Sequence, residues 1–156
     1  MAPDDPCASS DFREYTALLL RNLAMLRGNK GRLVATAGVL RFLLSALDGT
    51  NPRNSLRVTA AASAALWAIV FHCERAKPAL RALGAAEPGG AIATALERLA
   101  DASAEHHRER SRGGAAGFGG TALFGAVVPA ESLPSAERAT HHLVKLQQLL
   151  TASSTT

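Results

Sequence analysis

Apolar residues in this chain recur every three or four positions, in runs separated by short polar or glycine-rich breaks, the period of helices laid against a core. Asp11, with Glu14 three residues on, has the form of a capping box and opens the first run. Tyr15, Leu18, Leu19, Leu23 and Leu26 carry that run at helical spacing to about Arg27. Gly28 and Asn29 interrupt it, and a second segment runs from Lys30 through Val34 and Ala35. Gly38 permits a sharp break before a third segment with Val39, Leu40, Phe42, Leu43, Leu44 and Leu47. The turn cluster Asp48-Gly49-Thr50-Asn51-Pro52 closes it.

A long helix is then predicted from Ser55 or Leu56 to about His72. A further segment holds Ala76, Leu80 and Leu83, where Pro78 is tolerable in a first helical turn. After Pro88-Gly89-Gly90, the positions Ile92, Ala95, Leu96 and Leu99 mark another amphipathic helix, wholly polar beyond Asp101. Residues 111–132 read as a Gly/Ala-rich loop. A last helix, 133–151, carries Ala139, Leu143, Leu146, Leu149 and Leu150 on one side. Residues 1–10 are expected to be a flexible lead-in and 152–156 a frayed tail. The expected fold class is all-α, with a helical unit over residues 11–110.

Composition agrees. Of the 156 residues 47% are hydrophobic but only 4% aromatic, and the apolar share is mostly Ala and Leu, which favour helix over strand. The formal charge of +4 leaves a basic surface. That excess is open to an acidic protein face or, as the alternative reading, to nucleic acid. It is small and interspersed with acids, so a solvated Arg-rich surface explains most of it.

Cys7 and Cys73 are too few for a disulfide framework and lack metal-site spacing, and Cys73 lies in an apolar run as a small core residue. The N-terminus has no hydrophobic leader, and the longest apolar run, Ala60 to Cys73, is too short and interrupted for a membrane span. A cytoplasmic location is expected.

One recurrence organises the first half of the chain. Leu20-Arg21-Asn22-Leu23-Ala24 is followed by Asn29-Lys30, Leu33-Val34 and Gly38-Val39-Leu40, and about forty-four residues later Ala65-Leu66-Trp67-Ala68 is followed by Glu74-Arg75, Lys77 and Leu80. The stretch LRNLAMLRGNKGRLVATAGVLRFLLSAL resembles a nearly complete armadillo repeat. The second copy, AAASAALWAIVFHCERAKPALRAL, is similar at its ALWAI core, has no glycine matching Gly38, and carries Glu74-Arg75 with shifted spacing in place of Asn29-Lys30. The resemblance covers Leu18 to Leu83 and implies an armadillo/HEAT-like α-solenoid of two to three repeats with a C-terminal helix. Stacked units of that kind share one core, since none buries its apolar face alone. A narrower similarity is to the C-terminal region of rotatins, armadillo-type proteins of centrioles and ciliary basal bodies.

What the resemblance implies is a non-enzymatic scaffold that binds another protein through an extended segment or helix. It implies that Asn22, on the concave helix, hydrogen-bonds a bound peptide backbone, although the second copy has Leu66 there. Trp67 is the only tryptophan and is expected to pack where the repeat helix does, with a partner anchor as the functional reading. Lys30, Arg32, Arg41 and Arg75 are candidates for a basic face toward an acidic partner.

No cofactor, metal or small-molecule substrate is expected. Adjacent His106-His107 and His141-His142 point about 100° apart on a helix and chelate poorly. No nucleophile elbow, phosphate loop or dinucleotide fingerprint is present in the sequence.

Overall fold

The computed structural model describes residues 9–51, 54–113 and 133–152. Among these are seven α-helices and no strand: α1 (Ser10–Ala24), α2 (Arg27–Ala35), α3 (Val39–Leu47), α4 (Leu56–Val70), α5 (Ala76–Ala82), α6 (Ala91–Gly113) and α7 (Leu133–Thr151). Residues 1–8 of the expected lead-in, 114–132 of the expected loop and 153–156 of the expected tail lie outside the described residues. Ser9 and Ser10 already cap and open α1, and α6 continues to Gly113, three residues into the expected loop.

The helix starts are set by side chains. Ser9, not Asp11, caps α1, its hydroxyl accepting from the Phe12 N–H at 3.1 Å. The capping box read from Asp11 and Glu14 is not the one used, because Glu14 is buried and pairs with Arg57 on α4. Ser55 repeats the device at α4, accepting from the Val58 N–H, and the Ser10 hydroxyl bonds the Ser55 hydroxyl at 3.1 Å, so the two helices begin side by side. α1 also stops at Ala24, short of Arg27, and α2 begins three residues before Lys30. Pro78 falls in the first turn of α5, where its missing N–H has no intrahelical partner to lose.

α4 is the centre of the fold. It is apolar almost all round, burying Val58, Ala61, Ala62, Ala65, Leu66, Ile69 and Val70, the pattern of a helix packed over most of its circumference. α1 and α7 pack along it from opposite flanks, α3 packs behind it, and α3 in turn meets α6 while α2 meets α5. Each of α1, α2, α3 and α4 therefore lies against the helix three places later in the chain. Buried Leu40, Leu43, Leu47, Leu80, Ile92, Leu99, Leu143, Leu146 and Leu150 join the α4 residues in one core.

One long-range bond and one local pair of bonds fix the packing. The Arg81 guanidinium on α5 donates from Nε to the Leu150 carbonyl at 2.8 Å, capping the last turn of α7. Asn54, fully buried between α3 and α4, donates from Nδ2 to the carbonyls of Ser45 and Asp48, both at 2.8 Å.

α1 departs from the expected amphipathic pattern. It turns Glu14, Ala17 and Ala24 inward. Of the apolar positions that mark its period, only Leu18 packs on the core, while Tyr15 (67% exposed), Leu19 (59%), Leu23 and Leu26 stand in water.

Candidate interaction groove

Where α1 and α7 flank α4 without closing over it, a groove of about 1080 Å³ opens. α4 is its floor. Ala60, Ala61, Ala64 and Ala68 lie along that floor, and their short side chains leave the space that larger residues fill elsewhere in the core. At about 1.5 Å per residue the fifteen-residue α4 gives a trough about 22 Å long. Leu18, Arg21 and Met25 form the α1 wall, and Arg138, Ala139 and His142 the α7 wall.

An aromatic cluster closes one end. The Trp67 ring stacks nearly parallel on His142, centroids 6.1 Å apart, and meets Phe71 at 5.6 Å. Phe71 in turn touches His72 at 4.1 Å. His72 takes a left-handed φ of 61° in the residue after the α4 C-cap, a place where helices commonly reverse. Lys30, reaching across from α2, donates to the Phe71 carbonyl at 2.5 Å and sits 5.7 Å from the Phe71 ring centroid.

The electrostatics are one-sided. Arg21, Arg27, Lys30, Arg57 and Arg138 line the groove against a single acid, Glu14, which Arg57 already engages at 3.0 Å. The same field acts on His142. Burial, then the charges of His141, Arg21 and Arg138, push its imidazole below its ordinary pKa, so it is neutral at pH 7. Its Nδ1 is buried with no hydrogen-bond partner, consistent with a ring that serves by stacking.

Of the six residues singled out in the sequence, the structure brings two together here, and Arg32 is exposed on α2 away from the groove. Trp67 is half-buried on the groove and packed on the core, and Lys30 is buried at its end. Asn22 is exposed on α1, one position past Arg21, and does not line the groove. Arg41 is exposed on α3 beside a smaller hollow shared with α2 and α5, and Arg75 is exposed at the start of α5.

Sequence reasoning missed the Glu14–Arg57 pair and the role of His142. The signal for the second was present: His142 adjoins the inward series Ala139, Leu143 and Leu146 of α7.

Among the described residues no group of three or more His, Cys, Asp or Glu is placed to hold a metal ion, and no helix is long and apolar enough to cross a membrane. No protein-family model matches the chain, and neither a curated protein nor a solved structure matches it.

Proposed function

We infer that this chain is a non-enzymatic protein-interaction module of armadillo type, and that the groove over α4 takes a partner segment whose apolar residues are flanked by Asp or Glu. The observation that carries this reading is the groove itself, with a floor of alanines and a lining of five cations against one paired acid. An apolar trough of this length accepts a helix or an extended strand of a partner, and the cations select acidic flanks by complementarity. Nucleic acid fits less well, because a phosphate backbone gains nothing from an alanine floor. The pairing of α1 with α4, α4 with α7, α2 with α5 and α3 with α6 supports a solenoid of three-helix units in which α1, α4 and α7 line one face. The rotatin resemblance directs the partner search to centrioles and basal bodies, where proximity labelling checks it.

The groove is tested by placing a photo-crosslinking benzoylphenylalanine at Met25, an exposed groove residue, in cells. The expected product joins it to a partner peptide with acidic residues beside apolar ones, and Ala64→Trp, which fills the floor, abolishes it. Crosslinks only to nucleic acid, crosslinks indifferent to Ala64→Trp, or none at all overturn the reading.

A further inference from the structure

Two of the cations on the groove walls stand level with one another. α1 and α4 run in the same direction from neighbouring starts, and the Glu14–Arg57 pair, 43 positions apart, sets their register. The same offset places Arg21 beside Ala64. α7 also runs with α4, since its last turn meets Arg81 on α5, the helix that follows the end of α4. Trp67 of α4 stacks on His142, so Arg138, one turn earlier on α7, comes level with Ser63 and Ala64 as well. Two exposed guanidiniums thus flank the middle of the alanine floor from opposite walls. The charges of both bear on the His142 imidazole, one turn further along.

This placement selects an anion by shape as well as by charge. Packed helix axes lie about 8–10 Å apart, so the α1 and α7 axes stand roughly 16–20 Å apart across α4. Two inward arginine side chains and one anion between them can span that distance. A carboxylate holds its two oxygens in one plane and is matched by a single guanidinium fork. A phosphate monoester carries three acceptor oxygens about a tetrahedral centre and a charge of about −1.5 to −2 at pH 7, so it can accept from both forks at once. The phosphodiester of a nucleic acid has lost one of those oxygens and one of those charges. Glu14, the acid of the groove, is held by Arg57 towards the start of α4 and does not answer this pair.

We propose that Arg21 and Arg138 clamp a phosphoserine or phosphothreonine of the segment that the groove takes, so that phosphorylation of the partner switches binding on. The clamp rests on the reading of the groove as a partner site and names the group read at its centre.

Peptide retention on the immobilised full chain tests it. The probes are three pools of random peptides that differ only in a fixed central residue: phosphoserine, serine or glutamate. The phosphoserine pool should be retained at least about tenfold better than the serine pool, and better than the glutamate pool. Arg21→Ala and Arg138→Ala should each remove that margin. Arg21→Lys should remove most of it, because lysine keeps the charge without the fork. Arg41→Ala, on α3 outside the groove, should leave it unchanged. All three arginines are exposed, so the helical circular dichroism of these variants should match wild type. Ala64→Trp should abolish retention of every pool. Pools retained alike by wild type and lost in Ala64→Trp overturn the clamp and leave the groove reading standing. A phosphoserine margin that survives Arg21→Ala or Arg138→Ala, or that excess single-stranded oligonucleotide erases, also overturns the clamp alone. Retention of no pool, or retention that survives Ala64→Trp, overturns both.

Discussion

The Lys30 ammonium donates to the main-chain carbonyl of Phe71, the C-cap of α4, and lies over that residue's ring. A cation at a helix C-terminus meets the negative end of the macrodipole and satisfies one of the carbonyls that the last turn leaves without an N–H. This bond fixes α2 to the end of α4 and so holds one end of the groove. Lys30→Met keeps the stem and removes the charge. It should lower stability by about 1–2 kcal/mol, read as a shift in the urea midpoint, with Lys30→Glu worse because it sets an anion against the same carbonyl. Equal stability of wild type and Lys30→Met would show that the contact contributes nothing.

Asn54 is the corresponding lock on the other side of α4. It is fully buried, and its Nδ2 holds the Ser45 and Asp48 carbonyls while its main-chain carbonyl accepts from the Arg98 guanidinium on α6. Asn54→Ala removes both side-chain bonds, leaves the Asp48 carbonyl only the longer Asn51 N–H contact at 3.4 Å, and should cost about 1–3 kcal/mol. Asn54→Asp should cost more at neutral pH, since it sets a carboxylate against two carbonyl oxygens. Protonation restores a donor, so the folded-state pKa of that carboxyl is raised and the deficit should shrink as pH falls. A urea series at pH 7 and pH 5 reads the difference, and a deficit that grows on acidification contradicts this account.

How far the sequence announces this molecule depends on which residues are asked. Periodicity and turn clusters place the helices well: α3 ends at Leu47 before Asp48-Gly49, and α7 spans the expected 133–151. The inward face is less legible. In α1, leucines occupy one side and Ala17 and Ala24 another, and the alanine side faces α4 because small side chains let two helix axes approach. A hydrophobic pattern identifies a helix, but when both faces are apolar it does not say which one meets the core. The groove is hidden for a related reason. Trp67 and Lys30 are visible as candidates, whereas an alanine floor in a helix looks like propensity, and its meaning depends on α1 and α7 standing apart above it.

The Trp67–His142 stack gives the fold a pH response. Burial and the neighbouring charges of His141, Arg21 and Arg138 depress the His142 pKa below the ordinary value of 6.5. The unfolded chain therefore takes up a proton at a higher pH than the folded one. The contribution is fully present above pH 6.5 and is lost as pH falls from there through the folded-state pKa. The melting temperature should decline over that window, and Trp67 fluorescence should report any loosening of the stack. His142→Phe keeps an aromatic partner for Trp67 and removes the titration, so its melting temperature should change less between pH 7.5 and pH 5. Parallel declines in the two proteins would assign the effect to other groups.

Two glycines separate backbone strain from steric conflict. Gly38 sits before α3 with φ of 91°, and a methyl group added there meets nothing within 4 Å. Gly38→Ala therefore carries only the cost of a left-handed conformation, about 1–2 kcal/mol. Gly90 precedes α6 and has no positive φ, but its added methyl would stand 2.7 Å from the Gly84 carbonyl oxygen and 2.9 Å from that of Glu87. Both are main-chain atoms of the turn between α5 and α6, and Gly90 N–H already donates to the Glu87 carbonyl at 2.8 Å. That turn has no flexible side chain to move aside, so Gly90→Ala must displace the entry of α6 and should cost about 2–3 kcal/mol. Denaturant unfolding of the two variants should rank Gly90→Ala below Gly38→Ala. The reverse order would mean that the turn before α6 relaxes more readily than its close carbonyl contacts imply.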